Sequence, residues 1–370
     1  MAPRDSRKRI IVLFEDDPGT QKEHKDQIKK ALPKSVRVVE FTDQVVDIQG
    51  PAEAHLLKLL ESERYDRGKI GLIVCDRDLT RFKKANAQSD RVVSEVAERL
   101  GVPICLYEAG GAARPGLLSL EMIGRWKRTE IVVDSSDGQK FGQVCAGLYK
   151  GFENIRAALR RIKNQEFSKM TPPDILARIL GKEEELDRIA LYGAGEQDAL
   201  QELLPYYEQS RSNVSVIRNR YHRILGNWLN SSILRYPGIL VNEVAAASYL
   251  GIREEDFSED SVKKLFKDAF YKGPFSDCGQ WWWRRELDKI IAAANCKTGF
   301  EYSKKKGKHV RPCQCVEKRH AKAGYYCMIR GKPVCEEHSR GGISWFPGGA
   351  DLARVSLSEY QKVGPFVGLY

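Results

Sequence analysis

The sequence predicts an α/β fold class, with a five-stranded doubly wound parallel sheet followed by an α-helical domain and a small metal-binding module. Two observations predict the sheet: unbroken apolar runs of five or six residues, and their alternation with helical stretches over the first 165 residues. Such runs are typical of parallel strands that helices cover on both faces. A cluster of cysteine and histidine residues near the C-terminus predicts the module.

Each element of the predicted sheet follows from its own pattern. The predicted strands cover 10–14, 36–41, 70–75, 102–106 and 130–133, and the predicted helices between and after them cover 19–32, 51–63, 89–100 and 142–162. Strands that alternate with helices in this way form a parallel sheet. The sheet and its helices define a predicted first domain, residues 1–164.

Length and composition are those of a globular chain with several domains. With 370 residues, 42% hydrophobic and 30% charged, the chain can form two or three cores. No run approaches the roughly 18 apolar residues of a membrane span, and the apolar run near the N-terminus is too short for a signal peptide. We therefore expect a cytoplasmic protein that does not contact a membrane.

Acidic residues follow two of the predicted strands directly. The first strand runs into Glu15, Asp16 and Asp17, and the third runs into Asp76 and Asp78. The carboxyl ends of parallel strands share one edge of a sheet, where such sheets bind ligands. Carboxylates gathered there repel one another unless a hard cation neutralises them. The pattern predicts a Mg²⁺ pocket or a phosphate-handling site, or, more simply, acids that cap helices.

These segments resemble the receiver domain of bacterial response regulators, over residues 8–163. VLFEDDPGTQ is similar to that family's first strand and acidic pair, VRVVEFTD to its second strand, and IGLIVCDRDL to its third strand with the phosphate-accepting aspartate. The resemblance implies that Glu15, Asp16 and Asp76 hold Mg²⁺ and that Asp76 is the candidate phosphoacceptor. It also implies a place in two-component signalling.

The chain departs from the receiver pattern at two positions. Receivers place a serine or threonine after the fourth strand and a lysine after the fifth, whereas Glu108 and Asp134 stand near those positions here. Two acids in place of a hydroxyl and a cation would repel a phosphoryl group. The resemblance therefore implies an atypical or pseudo-receiver.

An enzymatic alternative uses nearly the same acids. Glu15 with Asp76 and Asp78 is similar to the Toprim fold of topoisomerases and related nucleases, in which acids bind Mg²⁺ for phosphodiester chemistry. This resemblance implies a Mg²⁺-dependent phosphodiesterase or nuclease. Against it, the glycine that usually follows the Toprim glutamate is Asp16 here.

Residues 165–300 predict a helical domain without strands. The candidate helices cover 171–180, 183–191, 196–204, 214–229, 243–250, 258–270 (with Ser258 as its cap) and 282–294. Trp281, Trp282 and Trp283 cannot all face one helical core, so at least one should meet another domain, a partner or a base, with burial at a domain junction favoured over base stacking. His222 stands among arginines and is interpreted as a surface residue.

Residues 301–370 predict a basic zinc-binding module. The candidate ligands are Cys313, Cys315, Cys327, Cys335 and His338. Zinc takes four ligands, and pairs a few residues apart can chelate it from a tight turn. We predict that four of the five bind zinc, with Cys335 and His338 in the set and His320 as a substitute. The module is similar to small zinc-finger folds without matching one named family.

The charge of the chain favours an anionic partner. The formal net charge is +11, and residues 301–344 contain eleven Lys and Arg against four Glu. Cations there can contact nucleic-acid phosphates, although a solubilising basic linker fits equally well. The candidate contacts are Lys304, Lys305, Lys306, Lys308 and Arg311.

Together these patterns favour a regulatory or adaptor protein of a prokaryotic signalling or stress-response pathway. The first domain would be the input or protein-docking surface, and the last would contact nucleic acid or another protein. Enzymatic activity stays open but is the less favoured interpretation, and no pairing of nucleophile and base stands out in the helical domain. The expected cofactors are zinc in the module and Mg²⁺ at the acidic pocket.

Overall fold

The computed structural model describes residues 9–42, 51–65, 69–80, 90–109, 131–193 and 214–367. Contacts divide the chain into two compact units. Of the described residues, the first unit contains those up to 168 together with 214–227, and the second contains 169–193 and 228–367. Most of the segment predicted as helical and the segment predicted as a zinc-binding module therefore contribute to the second unit.

The first unit is built on five parallel strands. Their bounds are Ile10–Phe14 (β1), Arg37–Glu40 (β2), Ile70–Asp76 (β3), Ile104–Glu108 (β4) and Ile131–Asp134 (β5). The strand order is β2-β1-β3-β4-β5, and every neighbouring pair is parallel. The predicted five-stranded parallel sheet is confirmed, and this order is one of the two common doubly wound orders.

Helices accompany these strands along the chain. In the first unit they are Pro18–Ala31 (α1), Ala52–Leu60 (α2), Asp90–Leu100 (α3), Gly138–Arg161 (α4), Asn164–Phe167 (α5) and Val214–Trp228 (α8), the last entering the second unit at Trp228. All five residues of β1 are buried, and its alternate residues Ile10, Val12 and Phe14 join one apolar cluster with Leu56 of α2. Burial on both faces explains why β1 is an unbroken apolar run.

His222 on α8 is buried, so its interpretation as a surface residue was wrong. Its ring packs edge-on against Phe152 of α4, and its Nδ1 lies 3.3 Å from a guanidinium nitrogen of Arg156. The neighbouring arginines that suggested a solvated face have partners instead. Arg223, for example, donates to Glu98 at 2.8 Å. The arginines that neighbour His222 in the sequence therefore did not indicate that His222 is exposed.

The second unit contains the remaining α-helices of the described residues, besides 3-10 turns at Glu183–Glu185 and Lys264–Ala269 and a π-helical turn at Leu229–Ile233. The α-helices are Pro172–Leu180 (α6), Leu186–Tyr192 (α7), Glu243–Leu250 (α9), Glu254–Phe257 (α10), Asp260–Lys263 (α11), Arg284–Ala293 (α12), Gly299–Lys305 (α13) and Leu357–Val367 (α14). The predicted cap Ser258 is wrong: it follows α10, and Glu259 precedes α11. The helix predicted over 196–204 lies outside the described residues. In the part of the chain that is described, no helix has the length and apolarity needed to span a bilayer.

The three tryptophans form a strand, which contradicts the prediction of a strand-free helical segment. Trp281–Trp283 (β7) pairs antiparallel with Leu240–Asn242 (β6), and α12 starts only afterwards. Successive strand residues point to opposite faces, so Trp282 lies on one face and Trp281 and Trp283 on the other. Trp282 and Trp283 are buried, and Trp281 is half-buried. Trp281 Nε1 donates to the carbonyl of Leu234 at 2.8 Å. Pairing with a distant segment overrode the local helical pattern.

A small four-stranded sheet ends the second unit. Its strands are Tyr325–Cys327 (β8), Lys332–Val334 (β9), Ser339–Arg340 (β10) and Ala353–Ser356 (β11), in the order β10-β11-β8-β9. The β8–β9 hairpin turns through Gly331, whose φ of 61° favours glycine. Its apolar cluster includes Cys315, Cys327 and Cys335, so the cysteine-rich segment has its own core.

Candidate metal centres

Three acids meet at the carboxyl edge of the parallel sheet. Glu15 and Asp16 follow β1 directly, and Asp76 ends β3. These two strands are neighbours, with Phe14 opposite Cys75, so their ends lie side by side. One carboxylate oxygen from each acid lies within 4.8 Å of those from the other two. The cluster, called the acidic edge below, could hold a Mg²⁺ ion, since Mg²⁺ prefers oxygen ligands.

Glu15 is a buried acid, only 3% exposed, and both of its carboxylate oxygens accept a hydrogen bond. Its Oε2 accepts a hydrogen bond from Tyr107 Oη at 2.8 Å, and its Oε1 accepts one from the Asp17 backbone N–H at 2.9 Å. Burial raises the pKa of Glu15, and these two hydrogen bonds oppose the rise. A cation at the acidic edge would favour the charged form further.

Asp76 is the second acid of the acidic edge with a raised pKa. Burial, and next the charge of Glu15, raise its pKa to about 6. His24 does not supply the missing positive charge: burial lowers its pKa, and its Nδ1 lies 3.8 Å from Glu15 Oε2, too long for a hydrogen bond. Carboxylates that repel one another in a partly desolvated site make a divalent cation favourable.

The other acids of the two strand ends have different roles. Asp17 caps α1, because its carboxylate accepts from the backbone N–H of Thr20 at 2.9 Å. Asp78 accepts from Thr80 Oγ1 at 2.7 Å and from the Thr80 backbone N–H at 3.2 Å. Neither residue belongs to the three-acid cluster. Helix capping, the simpler interpretation of these acids, thus fits Asp17.

The positions that depart from the receiver pattern also end strands of this sheet. Glu108 ends β4 and Asp134 ends β5, opposite each other in the strand register. Arg77 Nη1 lies 3.1 Å from Glu108 Oε2, and Arg77 Nε lies 3.8 Å from a carboxylate oxygen of Asp90. Sequence reasoning missed Arg77, although its place between Asp76 and Asp78 was a signal. Its guanidinium offsets the charge of Glu108.

A second candidate centre contains sulfur and nitrogen ligands. Ligand atoms of Cys315, Cys335 and His338 all lie within 4.8 Å of one another, and Cys335 Sγ is 3.0 Å from His338 Nδ1. Cys335 follows β9, and the segment of Cys315 lies beside it, because Val316 N–H donates to the Pro333 carbonyl. These three residues, the Cys/His cluster below, could hold a metal ion.

The other predicted zinc ligands lie outside the Cys/His cluster. Cys313 is buried, and burial raises the pKa of its thiol to about 12. Cys327 is also buried, and its Sγ accepts the Ser356 backbone N–H at 3.3 Å. His320, the predicted substitute, is exposed. The sequence spacing alone did not distinguish which of these residues converge.

The lysines predicted to contact nucleic acid largely contact the protein itself. Lys304 lies 4.6 Å from the ring centroid of Phe300, and Lys305 donates to the Ala294 carbonyl at 2.7 Å. Lys306 lies over Tyr302 at 5.7 Å. Lys304 and Lys305 therefore belong to α13 rather than to a linker.

Arg311 is engaged by an acid. Its Nε donates to Asp256 Oδ1 at 3.0 Å, and its backbone N–H also donates to that carboxylate. This hydrogen bonding lowers the pKa of Asp256. Nucleic-acid contact by Arg311 or by the lysines of 304–308 stays a prediction.

Comparison with known proteins does not assign the chain. No family model matches it, and neither curated proteins nor solved structures gave a match. The five-stranded parallel sheet is compatible with a receiver-like fold, and the Cys/His cluster with a metal site. Any functional conclusion therefore depends on the geometry of these two sites.

Proposed function

We propose that this chain is a regulatory or adaptor protein of a prokaryotic signalling or stress-response pathway. The first unit is a receiver-like input domain that binds Mg²⁺, and the second is a zinc-binding unit that contacts nucleic acid or protein. The convergence of Glu15, Asp16 and Asp76 carries the proposal. In doubly wound sheets, ligands bind at the carboxyl edge where the strand order reverses, which here is between β1 and β3.

Mg²⁺ suits the acidic edge by ligand type and by accessibility. Glu15 is buried, whereas Asp16 and Asp76 are half-buried and face the rim of the sheet. Mg²⁺ usually keeps several waters and binds through one or two carboxylates, so it needs no closed cage. The ion would lower the raised pKa of Asp76 and keep it ionised.

Asp76 is the candidate phosphoacceptor, but its surroundings favour a pseudo-receiver. Glu108 and Asp134 end the neighbouring strands, and Arg77 is already engaged with Glu108. We therefore expect Mg²⁺ binding without a stable aspartyl phosphate. Intact-mass spectrometry after incubation with acetyl phosphate and Mg²⁺ should show an unmodified chain. A phosphoryl adduct that disappears in Asp76→Asn would instead assign a conventional receiver.

Zinc is the metal proposed for the Cys/His cluster. Two thiolates and an imidazole match its preferred ligands, and structural zinc sites are almost always four-coordinate. Cys313 and Cys327 are both candidates for the fourth ligand, since each is buried in the same segment. Elemental analysis of the purified chain should find about one zinc per molecule.

The alternative function, a Mg²⁺-dependent phosphodiesterase or nuclease using Glu15, Asp76 and Asp78, has less support. Asp78 directs its carboxylate to Thr80, outside the three-acid cluster. The two functions are separated by incubating the full chain with labelled nucleic acid and Mg²⁺ or Mn²⁺.

The regulatory proposal predicts binding without cleavage in this assay. Metal-dependent cleavage that is lost in both Asp76→Ala and Asp78→Ala would overturn the proposal and favour the enzyme. Asp26→Ala, which changes an exposed aspartate on α1, is the matched control and should behave as the wild type. Cleavage that survives all three substitutions would not come from the acidic edge.

A further inference from the structure

A cleft of about 500 Å³ lies beside the Cys/His cluster in the second unit. Four cationic side chains line it: Arg253, Arg319, Arg330 and Lys332. Glu254 and Glu255 are the acids of its lining, and Cys315 of the Cys/His cluster also contributes to the wall. The cleft is therefore basic on balance and adjoins a proposed metal ligand.

Two of the four cations are neutralised within the protein. Lys332 Nζ lies 3.0 Å from a carboxylate oxygen of Glu254, and Arg330 Nη1 lies 3.1 Å from one of Glu317. Arg253 and Arg319, by contrast, form no ion pair with any residue that the structure describes. These two guanidinium groups are the available positive charges of the cleft.

Asp256, an acid close in sequence to Arg253, is paired with Arg311. Asp256 acts electrostatically on Arg253, but its carboxylate is hydrogen-bonded by Arg311, with Nε at 3.0 Å. Asp256 is therefore hydrogen-bonded to Arg311 and forms no ion pair with Arg253. Of the two lining acids, Glu254 is paired with Lys332, so Glu255 is the one acid among the described residues of the lining that remains against the two unpaired guanidinium groups.

The turn after Cys315 extends the positive surface. Lys318, Arg319 and Lys322 are all exposed on it. The Cys315 N–H donates to the Ala321 carbonyl, and Gln314 pairs with Lys322, so this turn is anchored on a residue of the Cys/His cluster. Cations fixed on a short turn keep a defined spacing, which suits a polymer with regularly spaced charges.

The chemistry of the lining favours phosphate groups over an acidic peptide. Guanidinium groups match phosphate oxygens with two parallel hydrogen bonds. A peptide would also need apolar pockets for its side chains, but Val316 and Pro333 are the only larger apolar residues among the described residues that line the cleft. Backbone contacts to a nucleic acid need only positioned cations and donors.

From these contacts we infer that this cleft, with Arg253 and Arg319 as its main contacts, holds the sugar–phosphate backbone of a nucleic acid. The inference rests on the nucleic-acid contact in the proposed function and assigns it to a surface other than the lysines of 304–308. Because the contacts are to phosphates, binding is independent of sequence and weakens steeply with salt.

The test measures binding of the full chain to a labelled duplex by fluorescence anisotropy, between about 50 and 200 mM salt. The double variant Arg253→Gln, Arg319→Gln removes both available charges. We expect weaker binding and a plot of log K against log salt whose slope is shallower by about 2, because two phosphate contacts are lost. Zinc content equal to the wild type shows that the variant is folded.

A matched double variant, Lys264→Gln, Lys267→Gln, removes two exposed charges of the same unit that do not line the cleft. Its salt slope should equal that of the wild type. The assignment of the cleft would be overturned if the salt slope of the arginine variant equals that of the wild type, or if the slope of the lysine variant becomes shallower by the same amount. Either result would leave nucleic-acid binding itself intact.

Two further outcomes would also overturn the inference. If the wild type binds no nucleic acid, the nucleic-acid half of the proposed function fails as well, whereas Mg²⁺ binding at the acidic edge is unaffected. If polyglutamate binds to the wild type but not to the arginine variant, and the duplex does not bind, the cleft accepts an acidic peptide instead.

Discussion

The acidic edge of the first unit and the Cys/His cluster of the second unit both gather candidate metal ligands, but they are built differently. The acids extend from two adjacent parallel strands, and Glu15 is fixed by Tyr107 and a backbone N–H. The Cys/His cluster instead joins a turn at Cys315 to the residues that follow a three-residue strand. A sheet can hold its ligands without an ion, whereas short turns gain much of their order from one.

The apolar cores of the two regions also differ, in their size and in the residue types that fill them. Large aliphatic and aromatic residues dominate the cluster around β1 and β3. The cluster around β8 and β9 contains Cys315, Cys327 and Cys335 among its seven buried members. A core with so few aliphatic side chains is small for independent stability. The comparison therefore predicts that losing metal unfolds one region and leaves the other folded.

The largest expected effect is from Cys335→Ser in the Cys/His cluster. Binding of structural zinc contributes on the order of 10 kcal/mol to small zinc domains, so its loss should leave the segment from Cys313 onward sensitive to protease. Zinc content, measured by elemental analysis, should fall from about one per chain to nearly none. Limited proteolysis should then remove the C-terminal segment and spare the first unit.

Cys296→Ser is the control for this variant, because Cys296 lies outside the Cys/His cluster, is only partly buried and has its thiol against the Ala294 carbonyl. It should keep its zinc and its resistance to protease. A metal-free Cys335→Ser chain that resists protease as well as the wild type would show that both regions hold their ligands without an ion.

A smaller effect is expected from Tyr107→Phe at the acidic edge. The variant removes the hydroxyl that donates to Glu15, so the carboxylate is less well oriented and harder to ionise. Loss of such an outer hydrogen bond should weaken Mg²⁺ binding about tenfold, and thermal unfolding should show a loss of about 1 kcal/mol.

Tyr65→Phe is the control that separates the loss of Mg²⁺ affinity from the loss of stability. Tyr65 is another buried tyrosine of the first unit, and its hydroxyl bonds to the backbone at Thr42. This variant should lose comparable stability and bind Mg²⁺ as the wild type does. Equal Mg²⁺ affinities of the two variants in isothermal titration would contradict the role given to Tyr107.

The smallest effect concerns the pH dependence of the first unit. Burial, and next the charge of Arg156, lower the pKa of His222 well below its ordinary value of about 6.5. Between this lowered pKa and about pH 6.5, His222 binds a proton in the unfolded chain but not in the folded chain. The stability associated with neutral His222 is complete above about pH 6.5 and is lost as the pH falls towards the lowered pKa.

Denaturation midpoints of the first unit, followed between about pH 7.5 and 5, should show this loss. His222→Gln should be less stable at neutral pH but should have a flatter profile on the acid side. If the wild type and the variant lose stability in parallel over this range, His222 is not the group responsible.

Much of the first unit could be predicted from the sequence, because burial on both faces leaves a direct pattern. The apolar runs at 10–14 and 70–75 identified two parallel strands, which the structure shows to be neighbours, and the acids that follow these runs converge. Tyr107 and Arg77 were missed because their contacts depend on the register between strands. A sequence pattern shows which residues end a strand but not which side chains meet there.

The second unit was predicted less well, since long-range pairing determines its local structure. Trp281–Trp283 is a strand only because Leu240–Asn242 pairs with it. The spacing of cysteines identified a metal-binding segment but not which residues come together. Cys313 and Cys315 are two residues apart, yet only Cys315 joins the Cys/His cluster.

Isothermal titration of the full chain with Mg²⁺ measures whether the acidic edge is a metal site. One Mg²⁺ per chain should bind at this edge, with an affinity weakened by about tenfold or more in Asp76→Asn and close to that of the wild type in Asp78→Asn. No Mg²⁺ binding by the wild type, or equal losses in the two variants, would contradict the assignment of the acidic edge as a Mg²⁺ site.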